Sequence, residues 1–314
     1  MLDKTHVIIV TYNGAKWITK CLDSIKGIDN IIIVDNNSTD NTVEIISKNF
    51  PKVTLHKLSQ NLGFALANNI GMKEAFNMGA EYFVLLNQDA WCEPDTIDQM
   101  ISISKEHSDF GILSPMHLNG SGELLDWNFT TYITNPKYGG RKLFTDLLKK
   151  EKLEKVYPVN FVNAAFWIIN RRCIQKVGLF DHELFPHYGE DSNYIERAKH
   201  FGFDVGIVPS SFIFHDREER SGVKTSSQFD IINLTREFTS QGANILILDS
   251  ISKMDANLNQ DRKLIFKNIL KFNLAQALNH NRLLKHKKNL RKKILSHKNE
   301  YQKEGFNLDI ELRR

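Results

Sequence analysis

Short β-branched runs alternate with helically spaced apolar residues through the first third of the chain. His6–Thr11 is continuous and apolar and predicts a buried strand, and Trp17, Ile18, Cys21, Leu22 and Ile25 then recur at helical spacing. Asn30–Asp35 predicts a second strand. Asn41 and Glu44 resemble an N-cap and its capping-box partner for a helix over Thr42–Asn49. Val53–Leu58 predicts a third strand, Ala65–Met78 a helix closed by Gly79, and Tyr82–Asn87 a fourth strand. Strands that are apolar without alternation are buried on both faces. The pattern therefore implies an α/β fold with a mostly parallel central sheet flanked by helices.

Ligands of such sheets lie beyond the carboxyl ends of the strands. Those ends are polar here: Thr11-Tyr12-Asn13-Gly14 after the first strand, Asp35 to Asp40 after the second, and Asn87-Gln88-Asp89 after the fourth. Any one of these clusters is ordinary turn chemistry. Three on one edge point to a polar ligand.

Further along, Ser114–Pro158 reads as irregular and Phe161–Ile169 as an apolar strand or the start of a buried helix. Val177–Asp181 is turn-like, Gly189–Phe201 predicts a helix, and Val205–Val208 and Ser211–His215 predict two short strands. Phe229–Leu295 is helical in pattern, with Ile265, Ile269, Leu270, Leu274 and Leu278 as an apolar stripe. This divides the chain into 1–228, with halves of about 1–113 and 114–228, and a helical, basic region over 229–314.

Composition adds constraints. The 314 residues are 41% hydrophobic and 25% charged, ordinary for a globular protein. No apolar run approaches the ~20 residues that span a bilayer, and no signal-peptide core is present, so a cytoplasmic protein is expected. Cys21, Cys92 and Cys173 are far apart and suggest neither a disulfide framework nor a zinc site. The net charge of +4 is uneven: Asn281–Arg314 holds 11 Lys/Arg against 4 Asp/Glu, whereas the residues before it carry a net −3. A nucleic-acid platform is not expected in the main body. GxGxxG, GxxxxGK[ST] and GxSxG motifs are all missing.

VIIVTYNG, IIIVDNNSTDNT, NLGFALANNIGMKEA, VLLNQDA, VGLFDHELFPHYGEDSNYIERAKHFG and a later His215 follow in this order. Together they resemble the family-two inverting glycosyltransferases with a GT-A fold, and most closely the rhamnosyltransferase-like branch of bacterial surface-polysaccharide synthesis. The resemblance covers Thr5 to Arg217. It implies a GT-A nucleotide-sugar-binding fold with a C-terminal helical extension. It also implies a nucleoside-diphosphate sugar donor, with dTDP-rhamnose first and a UDP-sugar second, and a glycan or lipid-linked glycan acceptor.

The departing diphosphate calls for a divalent cation, Mn or Mg, held by hard oxygen ligands with or without an imidazole. Asp89 matches the last position of the family's DxD-type motif. Asn87 stands at the first and offers a carbonyl oxygen without the charge; His215 matches a metal-completing histidine in some relatives. Inversion needs a base for the acceptor hydroxyl. Asp191 matches the catalytic aspartate, with Glu190 turned to the acceptor or the backbone; capping of the helix dipole is the competing reading for both.

On the donor side the resemblance assigns Thr11, Tyr12, Asn13, Asp35, Gln88, Asn61, Gly63, Phe64 and Asn68, with Asn69 weaker and solvent exposure as the competing reading for the two adjacent asparagines. Arg141 and Arg217 are candidate diphosphate partners because Arg forks onto phosphate oxygens, with exposed surface arginine as the preferred competing reading. Asn163, Ala164 and Trp167 are expected at the acceptor, against a core reading of that stretch.

The basic helices from Arg262 to Leu295 admit two readings: a peripheral contact with an anionic membrane at its inner face, or packing on the catalytic domain or a second subunit. The competing functions are a UDP-hexose transferase, a non-catalytic sugar-nucleotide-binding partner, and a nucleotidyltransferase.

Overall fold

The computed structural model describes residues 4–186, 188–217 and 227–309, without the side chains of 227–233. His187 of the long motif therefore lies outside the described residues, as does 218–226 before the expected boundary at 228.

The elements run β1 (Thr5–Thr11), α1 (Ile18–Asp23), β2 (Ile31–Asp35), α2 (Thr42–Asn49), β3 (Thr54–Lys57), α3 (Gly63–Asn77), β4 (Tyr82–Asn87), β5 (Ala90–Cys92), α4 (Thr96–Glu106), β6 (Phe110–Asn119), α5 (Trp127–Thr134), α6 (Arg141–Lys149), β7 (Tyr157–Pro158), β8 (Phe166–Asn170), α7 (Arg171–Val177), α8 (Glu190–His200), β9 (Asp204–His215), α9 (Ser227–Ala243), α10 (Ser250–Leu270) and α11 (Leu274–Glu300). They build one nine-stranded sheet in the order β3-β2-β1-β4-β8-β6-β9-β5, with β7 beside β9. β1 pairs parallel with β2 and β4, and β2 with β3, while β8 runs antiparallel between β4 and β6.

The pleat explains the apolar runs. Ile8, Ile32, Val34, Phe83 and Leu85 enter one core, and Val7, Ile9, Ile31, Ile33, Val84 and Leu86 enter the other, so both sheet faces are covered. The sequence-based elements of the first third are found with boundaries shifted by a few residues at most. Three expectations fail. The proposed capping box does not form: Asn41 makes no side-chain cap bond, and Asp40 takes the Thr42 amide instead at 3.0 Å. The stretch Ser114–Pro158 carries the end of β6, helices α5 and α6, and β7 rather than irregular chain. The two short strands near His215 are one strand, β9, interrupted by a register shift around Pro209, which cannot donate to the ladder.

Helices α9–α11 pack on one another and form a third core that takes in Leu184 and Phe185, ahead of α8. Among the described residues no helix is long and apolar enough to cross a membrane. The three cysteines are free and buried.

Candidate active site

The ends of β1 and β2 are locked to each other. Asp35 is buried and accepts from Thr11 Oγ1 at 2.8 Å, from Ser38 N at 2.9 Å and from Ser38 Oγ. Asn13, in a left-handed conformation at φ 48°, takes the Thr39 amide on its Oδ1 at 2.8 Å and donates its own amide to Ser38 Oγ. Asn and Asp tolerate this backbone region because their side chains bond locally. Thr11 is fully buried behind Asp35, whereas Tyr12 is exposed on the rim.

Gln88 joins the third loop to this rim. Its Oε1 accepts from Tyr12 N at 2.9 Å and its Nε2 donates to Tyr12 O at 3.0 Å. A Cβ on Gly14 would stand 2.1 Å from that Oε1, so a side chain there would push the Gln88 amide off the Tyr12 main chain. Gln88, expected to bind substrate, thus uses its amide on the main chain.

Nearby, Asn61 Oδ1 accepts from Gly63 N at 2.9 Å, and Gly63 turns at φ +82°. Phe64 packs toward Phe180 at 6.3 Å between centroids. Asn68 is buried and donates back to Phe64 O at 3.0 Å. Asn69 exchanges two 2.9 Å bonds with the main chain of Phe180 and so ties α3 to the segment before α8. These bonds answer why two adjacent asparagines sit inside a helix: each has a main-chain partner.

Asp89 follows β4, and the β5–β9 pairing of Ala90 with His215 brings the two together. His215 Nε2 lies 3.5 Å from Asp89 Oδ1, and both residues are buried. Burial lowers the imidazole pKa against the pull of Asp89. A carboxylate suits Mn or Mg, and an imidazole beside it is a donor that Mn would accept. Among the described residues no group of three or more His, Cys, Asp or Glu gathers here. Asn87 ends β4, its amide on Ala165 O at 2.9 Å.

Sequence reasoning missed Asp126. It caps α5 by accepting the Phe129 amide at 2.9 Å, and its other oxygen lies 3.5 Å from His215 Nδ1 and 3.1 Å from Arg217 Nε. An aspartate immediately before the apolar spacing of Trp127, Phe129 and Ile133 was the available signal. His117 was missed too. It is buried, bonds Ser114 Oγ at 2.9 Å and lies edge-on to His215 at 6.3 Å. Arg217 bridges Asp126 and His215, whereas Arg141 is exposed at the first turn of α6.

Glu190 and Asp191 open α8 behind two left-handed residues, Tyr188 at φ 62° and Gly189 at φ +99°. Strain of this kind is retained where the surroundings fix it. Burial pushes the Asp191 carboxyl up to about 6, against the pull of its own helix amides and of Arg217. Burial and then the charge of Asp191 push Glu190 up to about 8. The Oε2 of Glu190 has no hydrogen-bond partner among the described residues, and neither has Oδ1 of the buried Asn163. Tyr132, raised by burial and next by Asp191, faces the same space.

Asn163 and Ala164 are buried near the end of β4. Trp167 corrects the sequence expectation: it is fully buried, its indole donates to Val162 O at 3.3 Å, and it packs against Phe180 and Tyr194. Its strand β8 alternates, and Trp167 points into the core rather than toward an acceptor.

A loop-to-tail clamp stands behind the acidic pair. Asp181 Oδ1 accepts from Leu184 N at 2.9 Å. Its Oδ2 meets His297 Nδ1 at 2.6 Å and the Tyr301 hydroxyl, both contributed from beyond α10. The buried guanidinium of Arg197 donates to the carbonyls of Val177 and Leu179 at 2.8 and 2.7 Å, flanked by the rings of Tyr194, Tyr301 and Phe306.

Residues 6–178 match the family described as Glycosyl transferase family 2. Among curated proteins, the chain is 23% identical over 245 residues to the N-acetylglucosaminyl-diphospho-decaprenol L-rhamnosyltransferase of Mycobacterium tuberculosis, covering 71% of this chain and 79% of that protein. It is 23% identical over 222 residues to the dTDP-rhamnosyl transferase RfbF of Shigella flexneri, covering 70% and 72%. Among solved structures, the S. aureus TarS fragment 1-349 in complex with UDP-GlcNAc superposes with a TM-score of 0.55 at 16% identity, over 76% of this chain and 66% of that one. GalNAc-T7 with UDP, GalNAc and Mn2+ follows with a TM-score of 0.53 at 14% identity, over 75% and 51%. These likenesses are of fold, and the fold is of the GT-A type. On the match over more than half its length, the chain belongs to glycosyl transferase family 2.

Proposed function

We propose that this chain transfers L-rhamnose from dTDP-rhamnose, with inversion, to a hydroxyl of a growing lipid-linked bacterial glycan, and that residues 1–228 carry the reaction. The observation that carries the reading is one rim on which a raised carboxylate, Asp191, shares Arg217 with the buried pair Asp89 and His215. The donor sugar rests on the rhamnosyl relatives; a UDP-sugar is the second reading, since TarS was solved with UDP-GlcNAc.

The exposed Tyr12 offers its ring to the nucleobase, and Asp35, Asn13 and Asn61 set the walls around it. Asp89 and His215, with the Asn87 carbonyl weakly, would hold Mn or Mg, which neutralises charge growing on the departing diphosphate. Arg217 adds a fixed positive charge to that side. Asp191 accepts the proton of the acceptor hydroxyl as its oxygen attacks the anomeric carbon. The leaving nucleoside diphosphate takes the bonding electrons, so one bond forms as the other breaks. A base near 6 is ionised at neutral pH yet still draws the proton. Glu190 and Asn163, buried with polar atoms to spare, orient the acceptor.

The test is nucleoside-diphosphate release from dTDP-, UDP- and GDP-sugars with Mn, with Mg and with EDTA. Slow cleavage of dTDP-rhamnose, lost with EDTA, is the expected result. Preference for a UDP-sugar replaces the donor assignment. A donor that shifts thermal stability without turnover favours a non-catalytic binding module, and pyrophosphate release favours a nucleotidyltransferase.

A further inference from the structure

Between Arg262 and Asn299 the chain carries twelve Lys and Arg and no Asp or Glu. The structure sorts these cations by position. Toward the base of the α10–α11 hairpin they are neutralised internally: Lys287 meets Asp261 at 2.9 Å, Arg291 meets Asp255 at 2.7 Å and Lys293 meets Glu183 at 2.8 Å. Toward the tip, Lys263, Lys267, Lys271, Arg282 and Lys285 are exposed, and none forms an ion pair among the described residues.

The tip is also apolar. Ile269, Leu270, Leu274 and Leu278 of the apolar stripe are exposed, as is Phe266, so most of the stripe is turned outward; Ile265 is partly covered. At the turn itself stands Phe272, 91% exposed and at φ +53°. A turn residue with positive φ is ordinarily Gly or Asn, and a bulky ring there is strained as well as unburied. Large apolar side chains gathered at a protruding end, ringed by unpaired cations, mark an interaction surface.

From these observations we infer that the α10–α11 tip docks on an anionic lipid bilayer, with Leu270 and Phe272 entering the acyl boundary and the lysines meeting headgroups. Two alternatives fit less well. A second copy of the chain would set one ring of uncompensated cations against another, which costs energy. A soluble polyanion needs the cations and leaves the exposed Phe and Leu unexplained. A bilayer satisfies both halves of the surface. The inference does not rest on the transferase reading, since binding is measured without donor or acceptor.

The experiment is flotation of the full chain with vesicles of phosphatidylglycerol and phosphatidylcholine, and with phosphatidylcholine alone, at low and high salt. Solution mass by light scattering is measured alongside. The chain is expected to partition onto the anionic vesicles, and less at high salt. The double variant Leu270→Ser, Phe272→Ser should lose at least ~10-fold in partitioning. Each of Lys263→Gln, Lys267→Gln and Lys271→Gln should lose about fivefold. These side chains are exposed, so the variants keep their circular dichroism and thermal transition. Failure of the wild type to bind anionic vesicles overturns the proposal. Undiminished binding by the Leu270/Phe272 variant overturns it in favour of simple polyanion affinity. A wild-type dimer that this variant disperses, without vesicle binding, overturns it in favour of self-association.

Discussion

The two rims of the site are built by different physics. The β1–β2–β4 rim is closed by hydrogen bonds between short polar side chains and nearby main chain: Thr11 and Ser38 on Asp35, Asn13 on Thr39, Gln88 on Tyr12. The Asp191 rim is held by buried charge and by residues far downstream, with Asp181 reaching His297 and Tyr301. A rim made of such bonds is preorganised. One made of buried titratable groups is tunable, and it depends on the rest of the chain.

The sharpest break in this comparison is chemical. Asp191→Asn should lower transfer by about 10²–10⁴-fold while donor affinity, by titration calorimetry, stays unchanged. Equal loss of both would place Asp191 in donor binding instead. In the wild type, transfer should rise with pH through about 6, as Asp191 loses its proton.

Next comes the clamp. Burial pushes the Asp181 carboxyl up, but hydrogen bonds and charge from His297, joined by Tyr301, outweigh it and hold the group below its usual range. A lowered carboxyl stabilises the fold above its unfolded pKa and stops doing so as pH falls through the folded value. Asp181→Ala should therefore cost about 3–5 kcal/mol at neutral pH, read as a fall in Tm of ~10 °C. That deficit should shrink under acid conditions. Gln88→Ala should leave Tm within a few degrees, so that the asymmetry between the rims is itself measurable.

A smaller effect sharpens the donor side. Gly14→Ala drives a methyl onto Gln88 Oε1 and should raise donor KM about tenfold. Adding Gln88→Ala removes the clash and should recover part of the loss, a coupling that double-mutant kinetics would read.

The smallest effect belongs to Glu190. A carboxyl raised by burial contributes most to stability below its unfolded pKa, and loses that contribution as pH climbs through about 8. Glu190→Gln should match the wild-type Tm near pH 5 and exceed it by a few degrees near pH 9.

The same contrast explains what could be read from sequence. The β1–β2–β4 rim was legible as a polar cluster because its residues follow apolar strands directly, and strand ends in a parallel sheet share one edge. Asp191 and the Asp89–His215 pairing came from resemblance, since no spacing rule joins residues 89, 191 and 215. Asp126 escaped notice because its partners His215 and Arg217 come from a distant strand end. Trp167 was misplaced because an apolar run does not tell which residues face a ligand and which face the core. The asparagines of α3 were assigned to the donor side; only the fold reveals the Phe180 main chain opposite Asn69.

Arg197 carries a consequence for how the molecule comes into being. Its charge rests against Tyr301 and Phe306, and the amide of Leu179 is satisfied by Phe306 O at 2.8 Å. A Cβ on Gly178 would strike that same carbonyl, so the downstream strand of chain lies directly on the turn. On a translating ribosome, the sheet and the donor rim can be complete while those residues are still being synthesised. The guanidinium of Arg197 and the amide of Leu179 stay open until Tyr301 and Phe306 emerge. The nascent chain thus closes its sheet before it closes the clamp around Arg197, and the order of synthesis sets the order of assembly.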